Sequence, residues 1–266
     1  MRKTIVDPVK IAITFLLIFL FFQVKSVSAQ EANKGRFNIG FDGGVQFTNT
    51  DNKTTLNPTS RKVGYTFGPY AEYFISDLFS LKLGLYFDNR GFKIDDLYPG
   101  LADTSRIYPD SIVYSAKSYQ HFKRNYSINY LTIPLSINYV KGTEKFKIYV
   151  EAGFYYSLLL FANQEGYNDV YIDTAFAPHL EPPYNIPGNH IEDFTGDATS
   201  IFNTYDFGMM LYLGGIVQFN EHWGMTITPG FAFSFTNLYY QPETEAKWTQ
   251  IFRIKAGILY TLKKRR

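Results

Sequence analysis

Read for polarity alone, the chain from residue 37 onward alternates apolar and polar positions with a period of two. In the first such segment Phe37, Ile39, Phe41, Val45 and Phe47 share one face, and Asn38, Gly40, Asp42, Gly44 and Gln46 share the other. That period is the signature of a β-strand with two unlike faces. It predicts eight strands, over residues 37–48, 63–75, 79–94, 126–140, 146–162, 204–219, 223–238 and 248–262. All are longer than the five or six residues typical of soluble strands. The links alternate too. "SD" (Ser76, Asp77), "KGTEK" and "NEH" are short turns, whereas 49–62, 95–125, 163–203 and 239–247 are long. An even strand count with short turns on one side and long loops on the other predicts an all-β membrane protein. The predicted fold is an eight-stranded antiparallel up-and-down transmembrane β-barrel, with four long extracellular loops and three short periplasmic turns.

Alternation does not say which face meets lipid, since a soluble eight-stranded barrel reverses the faces. The distribution of charge decides it. Asp42, Glu72, Lys82, Asp88, Arg90, Glu151, Asp206, Arg253 and Lys255 sit in mid-strand on the polar face, while the apolar face is almost free of charge there. The polar face is also rich in small residues such as Gly40, Gly68, Gly84, Gly153, Gly214 and Gly230, as a narrow interior requires. Aromatic residues gather at strand ends on the apolar face: Phe37, Tyr73, Phe79, Tyr139, Phe146, Phe219, Trp223, Trp248 and Tyr260. Interface girdles sit at such ends. Lipid is therefore expected outside and polar groups inside. Five interior acids and four bases are nearly balanced, and buried charges must be paired or solvated. The nine are expected to form a structural network that plugs the lumen. The central stretch "NYLTIPLSINYVKG" carries Pro134 in mid-strand, as Pro69 and Pro229 do elsewhere. Since proline removes a ladder donor, Pro134 is expected to point into the lumen at a skipped bond, with a local bulge or twist.

The first residues read differently. Arg2 and Lys3 precede an apolar run over residues 11–22 and then "SVSAQ", the order of a secretory signal peptide. The run is short of the roughly 20 residues that span a bilayer. Residues 1–29 are assigned to a cleaved signal peptide, cut between Ala29 and Gln30, and residues 30–266 to the barrel domain. Removing Arg2, Lys3, Lys10, Lys25 and Asp7 turns a formal net charge of +2 into about −1, which gives a nucleic-acid partner no support. The chain has no cysteine, which excludes disulfides and Cys-based metal sites and fits an exported protein. Its 22 Tyr and 25 Phe suit a molecule with much lipid-facing and interfacial surface.

"YLTIPLSINYV", a tight turn and "FKIYVEAGFYYSLLL" together resemble the central hairpin of the PorT-type outer-membrane β-barrel family. "FGPYAEYFISDLFSLKLGLYFDNRGFK" is similar to that family's second and third strands, and "YDFGMMLYLGGIVQFNEHW" to its sixth. The resemblance implies a monomeric eight-stranded barrel in the bacterial outer membrane. The family's named member is implicated in protein secretion, but the long loops here match no pattern that carries that role over.

Candidate chemistry is sparse, and fold alone does not supply function. His121 lies near Ser118 and Ser127, which would allow a base–nucleophile pair at the extracellular rim. His179, His190, Glu181, Glu192, Asp193 and Asp197 offer metal-ligand types without a recognised spacing. His222 reads as a turn residue. Lys117, Lys123 and Arg124 are candidates for contact with lipopolysaccharide phosphates. The expected function is non-enzymatic and cofactor-free: a plugged barrel that is structural, or that binds a protein or surface ligand through loops 95–125 and 163–203. Its other expected partner is outer-membrane lipid. The alternatives are a rim enzyme acting on lipid or peptide and a small-solute porin.

Overall fold

The structure is a computed structural model that describes residues 33–50, 59–99, 119–172, 188–239 and 249–262. The signal-peptide residues, Lys117, Ser118, His179, Glu181 and Trp248 lie outside the described residues. Ten strand segments follow in order: β1 Phe37–Thr50, β2 Thr59–Phe74, β3 Phe79–Gly84, β4 Tyr86–Pro99, β5 Tyr119–Gly142, β6 Phe146–Ile172, β7 Gly188–Asp197, β8 Tyr205–Gln218, β9 Trp223–Ser234 and β10 Thr249–Leu262. All pairings are antiparallel, and β1 pairs with both β2 and β10, so the sheet closes on itself. The ring has eight positions. β3 and β4 share one of them, each pairing with β2 on one side and β5 on the other. β7 is the extra segment: it pairs with residues 163–172 of β6, above the stretch where β6 pairs with β8. Closure leaves the barrel wall without a free edge.

The break between β3 and β4 has a simple cause. Val140 N–H donates to Leu78 O (2.8 Å), so even-numbered residues of β5 aim their backbone groups at β3. Six residues on in the same register stand Gly84 and Pro134, and Pro134 has no N–H to give. Leu85 faces the other way and donates to Pro69 O (3.0 Å), but Pro69 can return nothing. Adjacent residues thus each lose one donor to a proline on opposite neighbours. Pro229 acts likewise between β8 and β9, whose pairing lapses at Leu213 and Gly214 and resumes unshifted. The expected bulge at Pro134 does not form, because a missing donor costs a bond without inserting a residue. Register shifts occur elsewhere, between Arg61 and Tyr65 of β2 and beside Asn129 and Tyr130 of β5.

Tight turns close the lower end. Ser76 Oγ accepts from Phe79 N–H (3.0 Å), and Asn220 Oδ1 accepts from both His222 N–H (2.9 Å) and Trp223 N–H (2.8 Å). An aromatic band surrounds this end, with Phe79 against Tyr139 (5.4 Å between centroids) and Trp223 against Tyr260 (4.9 Å). Above it the outward side chains are aliphatic or aromatic and exposed, as at Leu135 and Ile258.

Long strands depart from the sequence expectation. β5 has 24 residues and β6 has 27, whereas a membrane strand needs about 9–11. On β5 the outward positions Tyr139, Ile137, Leu135, Ile133 and Leu131 give way to Asn129, Ser127, Asn125, Lys123 and His121. The inward positions change in the opposite sense, from Asn138, Ser136 and Thr132 to Tyr130, Ile128 and Tyr126. Polarity inverts because the surroundings do. Against lipid the apolar face turns out, and against water it turns in. Much of what the sequence reading assigned to loops 95–125 and 163–203 is therefore strand: a four-stranded sheet of β4, β5, β6 and β7 standing above the bilayer.

Small residues inside the barrel have a specific use. A Cβ at Gly40 would lie 2.4 Å from the Tyr70 ring, one at Gly214 2.2 Å from Tyr149, and one at Gly230 2.0 Å from Tyr212. Each glycine is the direct cross-strand partner of that tyrosine, so the ring lies flat across the glycine backbone and fills the lumen. Gly214→Val is expected to cost about 1–3 kcal/mol through overpacking. Urea unfolding of the refolded barrel measures it, and adding Tyr149→Ala is expected to recover part of the loss.

Candidate functional site

Inside the wall, the inward charges meet in two knots. In the upper knot, Arg90 (β4) donates through Nη1 to Asp206 Oδ2 on β8 (2.5 Å) and through Nη2 to Asp88 Oδ2 (2.9 Å). Arg253 (β10) donates to the same Asp88 oxygen (2.7 Å), to Gln46 Oε1 (2.8 Å) and to Tyr212 Oη (3.2 Å). Thr132 and Ser157 complete the shell around Arg90, and its guanidinium lies 4.8 Å from the Tyr130 ring centroid and 5.2 Å from that of Tyr155. Asp206 also accepts from Tyr155, Thr236 and Ser234.

The lower knot is built on lysine. Lys82 Nζ stands 3.4 Å from Asp42 and 3.3 Å from Glu151, and Lys255 stands 3.8 Å from Asp42. Tyr86 donates to Asp42 (3.0 Å) and Ser136 to Glu151 (3.0 Å). Lys82 rests over the Tyr70 ring, and Lys255 over Tyr86 and Tyr212. Glu72 sits below both knots, held by Ser80 (2.6 Å), Asn138 (2.8 Å) and Asn38 (2.9 Å). All nine charged residues are buried. Eight join the two knots, and Glu72 forms its own hydrogen-bonded node.

Above the upper knot the interior is apolar, which the sequence reading did not anticipate. Phe92, Ile94, Tyr126, Ile128 and Ala162 point inward, and Ala198, Phe202 and Leu238 fold over them from the segments flanking β8 and β9. A 3-10 turn, Thr199–Ile201, carries part of this lid, anchored where Ala198 N–H donates to Ala162 O (2.8 Å). The signal lay in the phase of the alternation: Tyr130 and Leu131 are adjacent apolar residues at the point where the faces exchange. Between knot and lid a void of about 10 Å³, bordered by Thr48, Arg90, Tyr130 and Leu238, has room for about one water.

The outer face of the upper sheet carries the remaining candidates. His121 Nε2 lies 2.7 Å from Asp95 Oδ1, with Lys123 Nζ 3.9 Å from the same carboxylate. Asn125 donates to Glu165 (2.6 Å). Ser127 is six residues from His121 along β5, about 20 Å at ~3.3 Å per residue, and its Oγ accepts from Asn89 instead. The His121–Ser127 pair is thus not formed. Lys123 and Arg124 do not cluster either. Neighbours on a strand face opposite ways, and Arg124 is held on the inner face between the rings of Phe122 (4.2 Å) and Phe194 (4.7 Å). Glu192 and Asp193 likewise point to opposite faces of β7, Asp197 binds Thr199 (2.9 Å), and His222 stacks on Tyr260 in its turn. Among the described residues no three acidic or imidazole groups converge as a metal site.

A closed ring of eight strand positions, a lipid-facing belt and a polar lumen are now established. The outer membrane protein beta-barrel domain family matches residues 28–244. The chain belongs to this family. As an outer-membrane β-barrel, it has its place in the bacterial outer membrane. It is similar to the outer membrane protein OprG from Pseudomonas aeruginosa, at 15% identity over 88% of this chain and 99% of that one, with a TM-score of 0.44. It is also similar to Ail, the attachment invasion locus protein of Yersinia pestis, at 8% identity over 86% and 99%, TM-score 0.40. Neisserial surface protein A gives 11% identity over 84% and 96%, TM-score 0.38. No curated protein matches the chain in sequence.

In this outer-membrane barrel the Asp88 carboxylate serves two guanidinium groups at once. Asp88→Asn leaves both without it and is expected to cost about 3–5 kcal/mol, as for other broken buried pairs. Arg253→Met is expected to cost less, since Arg90 still neutralises Asp88. Urea titration of both variants in the same lipid checks the order.

Proposed function

We propose that the protein is a monomeric, non-enzymatic barrel whose membrane part is a closed anchor and whose working surface is the upper sheet of β4–β7, which binds a protein or surface ligand. The observation that carries this reading is the inversion of polarity along β5, which with the paired end of β6 makes some ten residues of each strand a water-facing platform. Surface-exposed, rigid and rich in charge, that platform is the part able to meet a partner outside the cell. The two knots, the inward tyrosines and the apolar lid support a lumen that passes no solute. A cleaved leader ending at Ala29 and a PorT-type lineage belong to the same proposal, resting on the leader composition and on "YLTIPLSINYV".

The quadruple variant Lys93→Ser, Asp95→Ser, Lys123→Ser, Glu165→Ser alters the outer face of the sheet alone. In pull-downs from mildly solubilised outer membranes it is expected to lose the species captured by the wild type, with the fold intact by circular dichroism. Equal capture by both proteins sinks the platform. In planar bilayers the wild type is expected to show no unitary conductance, and a steady open current would restore the porin reading.

One contact favours a second reading. The His121–Asp95 pair is the arrangement a rim hydrolase uses to orient its base. Turnover of lipid or peptide substrates by the wild type, abolished in His121→Ala, would establish that enzyme in place of a passive platform.

A further inference from the structure

The upper sheet has an open side. Among the described residues β7 pairs with β6 alone, so the sheet ends at β7, whereas the barrel wall below it is closed. The ladder fixes which groups that edge presents. Ala198 N–H donates to Ala162 O (2.8 Å), one step beyond the register that sets Asn163 opposite Asp197. Bonded and non-bonded pairs alternate along an antiparallel ladder. Even-numbered residues of β7 therefore give their backbone groups to β6, and Asn189, Ile191, Asp193 and Thr195 turn theirs away from it. All four are exposed, Ile191 to 65%. Neither a proline nor a bulge interrupts the strand, although both are common ways to blunt an edge.

Charge is what distinguishes this edge. Glu192, Asp193 and Asp197 lie on β7, and Glu165 and Asp169 lie on the stretch of β6 paired with it. Neither stretch carries a lysine or arginine. The acids decide against a second copy of the chain as the occupant. Two copies in one membrane stand the same way up and at the same height. Their β7 edges could meet only in parallel and in register, with Glu192, Asp193 and Asp197 beside the same residues of the other chain. Like charges so placed repel. A strand of opposite charge gains from every one of them.

We propose that the β7 edge takes up an extended segment of a basic protein or peptide as a further strand of the upper sheet. Its main chain pairs with the outward groups of Asn189, Ile191, Asp193 and Thr195, and its lysine or arginine side chains lie against Glu192, Asp193 and Asp197. The inference rests on the upper sheet being the working surface, and it adds the form and charge of the partner. Main-chain bonds supply affinity whatever the incoming sequence, while the side chains beside the acids supply selection. The sheet holds its half of the new ladder in place, so only the incoming segment loses freedom on binding.

The test uses the full chain in phosphatidylcholine nanodiscs and a fluorescent peptide of alternating lysine and threonine, as long as β7, read by anisotropy. That peptide is expected to bind, and its glutamate–threonine counterpart is not. Ile191→Pro with Thr195→Pro removes two outward N–H groups and no bond to β6. It is expected to weaken binding about tenfold, as for the loss of two backbone hydrogen bonds. A lysine–threonine peptide N-methylated at every residue keeps its charge without an N–H to give. It is expected to fail on the wild type, a result that needs no variant to fold. Equal binding of the methylated peptide and its parent, or binding unmoved by the proline pair, overturns the edge in favour of a loose electrostatic contact. No binding of the basic peptide to the wild type overturns it too, and leaves the acids as guards against aggregation. The broader platform is judged apart. If pull-downs with the quadruple outer-face variant lose the captured species while the proline pair retains them, the platform stands and the edge falls.

Discussion

One carboxylate oxygen holds the upper half of the interior together. Asp88 Oδ2 accepts from Arg90, Arg253 and Thr132, and through Arg90 it reaches Asp206. Strands β4, β5, β8 and β10 are thereby tied across the lumen, and β1 joins through Gln46. The constraint behind this is geometric. Eight strands enclose a space too narrow for a channel, and lipid outside forces the polar face inward, so the charges have nowhere else to be satisfied. Buried ion pairs are often no more stabilising than apolar residues of the same size. An apolar lumen, however, would make each strand apolar on both faces, and such uncharged runs of high β-propensity aggregate before they insert. Alternation keeps the mean hydropathy of the chain at −0.16.

Packing around the charges follows from the same narrowness. The lumen must be filled, yet aromatic rings attached to a tightly curved wall collide with its backbone. Glycine on the adjacent strand removes that collision at Tyr70, Tyr149 and Tyr212. The rings of Tyr70 and Tyr212 then lend their faces to Lys82 and Lys255, where a cation over a desolvated ring gains more than it does at the surface. Glycine, tyrosine and base therefore act as one unit of three, spread over neighbouring strands.

The sequence makes the ring legible because period two and the alternation of short and long links both survive without any tertiary information. Strand number, face and charge set could be read from residues such as Asp42, Lys82 and Arg253. The partners of those charges could not, since the pairs join residues as far apart as Asp88 and Arg253. The upper sheet was concealed for a different reason. Beyond Leu131 the alternation on this strand continues with its meaning reversed, and below residue 126 the absence of apolar residues on the lipid side reads as a loop. Proline is legible in part: a skipped ladder bond with a bulge or twist is the reading of Pro134, and the register passes it without a bulge because the strand loses only a donor.

The polar overhang also bears on how the protein reaches its final state. Both ends of the barrel domain lie on the side of the short turns, so the hairpins are inserted tip first. Every residue of the upper sheet must then travel through the hydrocarbon before the barrel closes beneath it. Lys93, Lys123 and Arg124 each carry a transfer cost of about 2–4 kcal/mol at the mid-plane of a bilayer. None of that cost is visible in the finished molecule, where these groups are back in water or stacked on rings. It falls on the transition state for insertion. The cost of this polar overhang is thus one of arrival, and a thinner bilayer lowers it.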